Sequence, residues 1–92
     1  GQAAGIGNWD VSSVTTMRFM FYNAPAFNQD IGSWDVSSVN STNDMISMFN
    51  GATIFNQDLT GWCVTNITTE PIGFSTSSAL TTANKPDWGN CP

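Results

Sequence analysis

Apolar residues recur along the chain in one repeated phrase. Ile31, Trp34, Val36 and Val39 fit the pattern L-x-x-L-x-L-x-x-V; Ile6, Trp9, Val11 and Val14 precede it in the same spacing, and Leu59, Trp62, Val64 and Ile67 follow. The Trp34-Asp35-Val36 centre alternates apolar and polar, which predicts a short strand. A second stripe comes next. Met17, Met20, Phe21 and Ala24 stand at i, i+3, i+4 and i+7, and Met45, Met48, Phe49 and Ala52 stand at the same offsets. That spacing predicts a short helix with one inward face. Ser41, Thr42 or Asn43 suits its N-terminal cap, and Gly51 sits where a C-terminal cap is favoured. Phe27-Asn28-Gln29-Asp30 and Phe55-Asn56-Gln57-Asp58 then turn the chain towards the next strand.

The phrase divides the chain into rows. Repeat 1 is 6–30, repeat 2 is 31–58, and 59–67 begins a third, after a flexible segment 1–5 and before a capping segment 68–92. The tryptophans at 9, 34, 62 and 88 lie 25, 28 and 26 residues apart. Repeat 2 gains three residues between Val39 and Met45, which loosens the register of its helix. A period in the twenties implies units that bury their apolar faces against one another. The expected fold is an α/β solenoid: a leucine-rich-repeat-like, right-handed coil of short parallel strands and short helices, with two full repeats and a C-terminal cap.

The run WDVSSVTTM…MF…A…FNQDIGSWDVSSV over residues 6–67 resembles the BspA-like surface-protein repeat, a leucine-rich-repeat-type unit found in tandem on bacterial surface proteins and lipoproteins. GWCVTNI…KPDWGNCP resembles the closing repeat at the C-terminal end of such an array. The resemblance implies an extracellular or cell-surface adhesion or recognition module rather than an enzyme.

Composition narrows the partners. Charged residues make up only 10% of the 92 residues, whereas Ser, Thr and Asn fill 31 positions, so the surface is solvated by hydroxyls and amides. The net charge is −5, and Arg18 and Lys85 are the only bases, which argues against nucleic acid or an anionic membrane as partner. No apolar run approaches the roughly 20 residues of a membrane span. With no His, most acid–base and nucleophilic chemistry lacks its usual participants. No metal and no cofactor is expected.

The two cysteines are Cys63 and Cys91. Neither a His nor a C-x-x-C spacing supports a metal or redox pair, so a structural disulfide is expected, and with it an oxidising compartment. The tail between them carries Pro71 and Pro86, as suits a segment that ends an array.

Each candidate site has a structural reading beside it. Trp9, Trp34 and Trp62 alternate in register with valines and belong in the core, with Phe21, Phe49, Phe27 and Phe55, rather than on a sugar-stacking face. Asn28, Gln29, Asp30, Asn56, Gln57 and Asp58 offer oxygen ligands for calcium, but stacked Asn and Asp side chains more simply satisfy backbone groups in successive turns. Asp10 and Asp35 are expected to project from adjacent strands about 5 Å apart. Asn8 and Ser33 flank them on one side, and Ser12, Ser37 and Thr65 line the other. Paired carboxylates suit acid–base chemistry, a polar recognition face or a purely structural column. No cleft or third group favours the first. If the pair repels, Asp→Asn at either position should slightly stabilise the fold.

The leading expectation is a non-enzymatic module that binds an extracellular or cell-surface protein through its polar strand face. A spacer without a ligand is the alternative, and a glycan- or ice-binding surface a weaker third. Row one leaves its Trp9 strand and its Phe19-Met20-Phe21 stretch at an open end. A further repeat ahead of Gly1 is therefore expected in a longer protein, and in this chain alone either weak self-association through the N-terminal face or fraying of the first row.

Overall fold

The protein is described over residues 6–92 by a computed structural model. Residues 1–5, expected from the sequence to be flexible, lie outside the described residues.

Each apolar-x-x-apolar step of the sequence closes a β-turn. Trp9 N–H donates to Ile6 C=O at 3.0 Å, Trp34 to Ile31 at 3.1 Å and Trp62 to Leu59 at 3.1 Å. Val14, Val39 and Ile67 donate in the same way to Val11, Val36 and Val64. The stripe read as helical behaves alike: Met20 donates to Met17, Met48 to Met45 and Ala52 to Phe49. In the Met45–Met48 turn, Ile46 has φ −57° and ψ 131° and Ser47 has φ 55°, the geometry of a type II turn.

The expected α/β solenoid is therefore corrected. Among the described residues there is no strand and no α-helix, only 3-10 turns at Ile6–Asn8, Thr42–Met45 and Thr82–Asn84. A leucine-rich-repeat coil of parallel strands and helices does not describe this chain. The reason lies in a degeneracy of spacing. Two type II turns in tandem turn their first and fourth residues to the same side, so they reproduce the i, i+3, i+4, i+7 stripe of a helix. Trp34-Asp35-Val36 alternates because Asp35 links two turns, Ile31–Trp34 and Val36–Val39.

Turns of this kind need a left-handed residue, and the chain provides one in columns. Phe19, Ser47 and Gly73 occupy one, with φ 56°, 55° and 69°; Asn23, Gly51 and Ser77 occupy the other, with φ 53°, 82° and 58°. Gly51, expected as a helix cap, is thus the third residue of a turn. For Phe19 the conformation costs about 1–2 kcal/mol, since its Cβ crowds the backbone.

Along the ribbon of turns, the backbone hydrogen bonds between rows all run one way. Met17, Phe19, Phe21 and Asn23 donate to Asp44, Ile46, Met48 and Asn50. Ser47, Phe49 and Gly51 in turn donate to Ile72, Phe74 and Thr76. A parallel β-ladder would return alternate bonds to the first row. Here the intervening amides close turns within their own row instead, and no strand forms. The three inserted residues do not disturb the register. They form the 3-10 turn Thr42–Met45, whose entry Ser41 caps by accepting from Asn43 N–H at 3.2 Å.

The core runs through the stack as an aromatic column. Phe21 stacks on Phe49 with centroids 5.5 Å apart, Phe27 on Phe55 at 5.3 Å, and Phe49 on Phe55 at 4.3 Å. Phe74 meets Phe49 edge-on at 5.2 Å, and Trp88 closes over Phe74 at 4.9 Å. Trp34, Trp62, Phe49 and Phe55 are buried, and Phe21 and Phe27 pack partly buried against them. Trp9 departs from the expected core: it is 56% exposed. Each buried tryptophan donates its indole N–H to the preceding row, Trp34 to Ile6 C=O and Trp62 to Ile31 C=O, both at 2.9 Å. Trp9 has no preceding row among the described residues.

Row three extends beyond its apolar signature. Pro71, Ile72, Gly73 and Phe74 form a turn, Ser75–Ser78 another, and both lie in register with Met45–Ala52. The chain then closes the opposite half of the row. Leu59 donates to Asn84 C=O, Val64 to Asn90 C=O, and Gly89 to Ile67 C=O at 2.8 Å. A Cys63–Cys91 disulfide spans 28 residues and ties this closing segment down.

Candidate functional site

The column that begins at Asp10 is built from one local device. An aspartate accepts from the backbone amide and the hydroxyl two residues later, and so closes an Asx turn. Asp10 Oδ1 accepts from Ser12 N–H at 3.0 Å and from its Oγ at 2.6 Å; Asp35 Oδ1 accepts from Ser37 at 3.0 and 2.5 Å. Asp58 does the same with Thr60, and Asp30 accepts from Gly32 N–H alone. Among the described residues, Oδ2 of Asp10, Asp35 and Asp58 makes no hydrogen bond.

These bonds set the electrostatics. The hydroxyl and then the amide of Ser12 hold the Asp10 carboxyl below its ordinary range, and Ser37 and Thr60 do the same for Asp35 and Asp58. The charge on Asp10 pushes Asp35 the other way, but as the smallest of its influences. Local hydrogen bonds thus outweigh the mutual repulsion in setting the Asp35 carboxyl, so Asp→Asn removes a bonded carboxylate as well as a repelling one. No adjacent strands carry the pair; the two aspartates link β-turns in successive rows.

Of the flanking residues, Asn8, Ser33, Ser37 and Thr65 are exposed and Ser12 is half-buried. The Ser38 hydroxyl donates to Ser12 C=O and joins the two rows at this column. Cys63 stands in the aspartate column of row three, with its Sγ 3.7 Å from Thr65 Oγ1. The disulfide thus takes the place of a carboxylate in row three. Beside the column lies an open depression of about 380 Å³, lined by Gly7, Asn8, Gln29, Asp30 and Ser33.

The Asn-Gln-Asp turns form a ladder of their own. Asn28 Oδ1 accepts from Asn56 N–H and from Gln57 Nε2, both at 3.0 Å. Asn56 Oδ1 accepts in turn from Thr81 N–H and from Asn84 Nδ2, again at 3.0 Å. Gln29 Oε1 accepts from Ile6 N–H at 3.3 Å. These oxygens are occupied by the protein itself, and among the described residues no group of three or more His, Cys, Asp or Glu could hold a metal ion.

The two bases lie beside acids outside the aspartate column. Lys85 pairs with Glu70 at 3.0 Å, and Arg18 lies 3.8 Å from Asp44. Neither base reaches Asp10, Asp35 or Asp58. The surface also carries an apolar patch at the first row, Trp9, Phe19, Met20 and Tyr22, where Phe19 and Tyr22 meet edge-on at 5.7 Å. The sequence signals it only through the position of that row at the end of the stack.

Among the described residues, no helix is long and apolar enough to cross a membrane. No curated protein and no solved structure matches the chain. A family model does match, over residues 2–90, and so nearly the whole length. The chain belongs to the family described as Mycoplasma protein of unknown function, DUF285.

Proposed function

We propose that the chain is a non-enzymatic recognition module of an extracellular or bacterial cell-surface protein, akin in role to the BspA-like repeats that its sequence resembles. Its polar column, Asp10 and Asp35 with Asn8, Ser12, Ser33, Ser37 and Thr65, binds the basic surface of a protein partner. One observation carries this reading. The carboxylates are exposed and fixed by Asx turns, and among the described residues they meet no cation and each keeps an oxygen free. A group already held in place loses little entropy on binding, and charge complementarity favours a cationic partner. The disulfide supports an oxidising location.

A spacer role is the second reading, favoured by the same Oδ1 bonds, because turn chemistry alone accounts for an aspartate in this column. Capture from extracellular-matrix or cell-surface extracts separates the two. The recognition reading expects a captured protein that is released by salt and lost with the double variant Asp10→Asn/Asp35→Asn. Capture of nothing, or equal capture by the variant, contradicts it.

A further inference from the structure

Because the backbone bonds between rows of the turn ribbon all point one way, the ribbon has two chemically different ends, as a helix has. At the head, the carbonyls of Arg18, Met20 and Tyr22 accept no hydrogen bond from the described residues. Their counterparts one row on, Ile46, Met48 and Asn50, each accept from the row before. At the tail, the amides of Gly73, Ser75 and Ser77 donate to none of the described residues, although Ser47, Phe49 and Gly51 in the same columns all donate onward. Donors and acceptors share one spacing, since both ends belong to the same ribbon of turns.

The apolar surface is divided in the same manner. The head exposes Trp9 and Phe19, with Met20 at 37% and Tyr22 at 54%, and the tail exposes Ile72 at 78%. One row further in, Met48, the counterpart of Met20, is fully buried because a neighbour covers it. The closing segment and the disulfide cover the 59–67 half of the tail and leave the 72–77 ribbon uncovered.

We infer that the tail of one copy docks on the head of another, with the Gly73, Ser75 and Ser77 amides donating to the Arg18, Met20 and Tyr22 carbonyls. The occupant is a second copy of this chain, whose ribbon presents donors and acceptors in this same register. A head-to-head pair would set carbonyl against carbonyl, and a tail-to-tail pair amide against amide. The contact is heterologous, so each docked copy leaves a head and a tail free for the next.

Sedimentation of the whole chain across a hundredfold concentration range tests this, with a head variant Met20→Lys and a tail variant Ile72→Lys. Each moves the net charge from −5 towards neutrality, so charge repulsion cannot explain a loss of association. The wild type should grow past the dimer with concentration. Each variant alone should remain a monomer, and an equimolar mixture should stop at a one-to-one dimer. A wild type that stays monomeric, an Ile72→Lys variant that still dimerises, or a mixture that stays monomeric overturns the inference. Amide exchange needs no variant and gives a second readout. Protection of Gly73, Ser75 and Ser77 should rise with wild-type concentration, and protection that is flat with concentration contradicts tail-to-head docking.

Discussion

Rows one and two carry nearly the same phrase and have different surroundings. Trp34 is 3% exposed and Trp9 is 56% exposed; Met48 is fully buried and Met20 is not. Phe49 touches rings in the row before and the row after, whereas Phe21 has a neighbour on one side alone. Burial is therefore a property of position in the stack and not of the repeat's sequence. Stability should follow nearest-neighbour contacts, as in other repeat chains.

The largest expected contrast is between equivalent phenylalanines. Phe49→Ala should cost about 3–5 kcal/mol, because it opens a cavity at the crossing of Phe21, Phe55, Phe74 and Trp62. Phe21→Ala should cost clearly less. Denaturant titration of both gives the difference, and equal losses would deny that neighbours set the energetics. Row three provides the next test. Cys63→Ser with Cys91→Ser should cost about 3–4 kcal/mol for a loop of this length and should loosen the closing segment first. Asn56→Ala should follow at about 1–2 kcal/mol, since its oxygen serves Thr81 and Asn84 together. Trp9→Ala should change stability by less than about 1 kcal/mol, whereas Trp62→Ala should approach the loss at Phe49.

The smallest effect is the titration of the polar column. Asp10, Asp35 and Asp58 have folded pKa values below their ordinary range, so the unfolded chain takes up protons first as pH falls. Their contribution is present above the ordinary carboxylate pKa of about 3.9 and is lost as pH drops through the depressed folded values. Melting of Asp35→Asn should therefore fall slightly below wild type at pH 7 and converge with it in acid. A variant that melts higher at neutral pH would restore carboxylate repulsion as the dominant force.

Much of this was legible in the sequence. The inward phrase Ile31, Trp34, Val36, Val39, the Asn28 and Asn56 turns and the cysteine pair all follow from residue type and spacing. The conformation of the rows did not. Met45, Met48, Phe49 and Ala52 satisfy a helix and a pair of β-turns equally, and what separates them is Ser47 and Gly51 in left-handed columns. Gly51 invites that reading; Phe19 and Ser47, with ordinary side chains at positive φ, conceal it. Row three was hidden for another reason. Pro71, Ser75 and Ser78 stand where the stripe has Met45, Phe49 and Ala52, and only the order Pro-x-Gly-Phe marks the turn. The phrase of Trp9 matches that of Trp34 and so predicts burial, but a phrase does not report whether a neighbouring row covers it.

Tandem β-turns, joined from row to row by ribbon backbone bonds of one direction, replace strands and helices. Scalar couplings across hydrogen bonds, measured by NMR on the isotopically labelled chain, test it most directly. The account predicts couplings from the amide nitrogens of Phe19, Phe21, Ser47 and Phe49 to the carbonyl carbons of Ile46, Met48, Ile72 and Phe74, and from Met48 to Met45 within its row. Couplings from residue i to i−4 along 17–24 or 45–52, or alternating couplings that return from row two to row one, would contradict it.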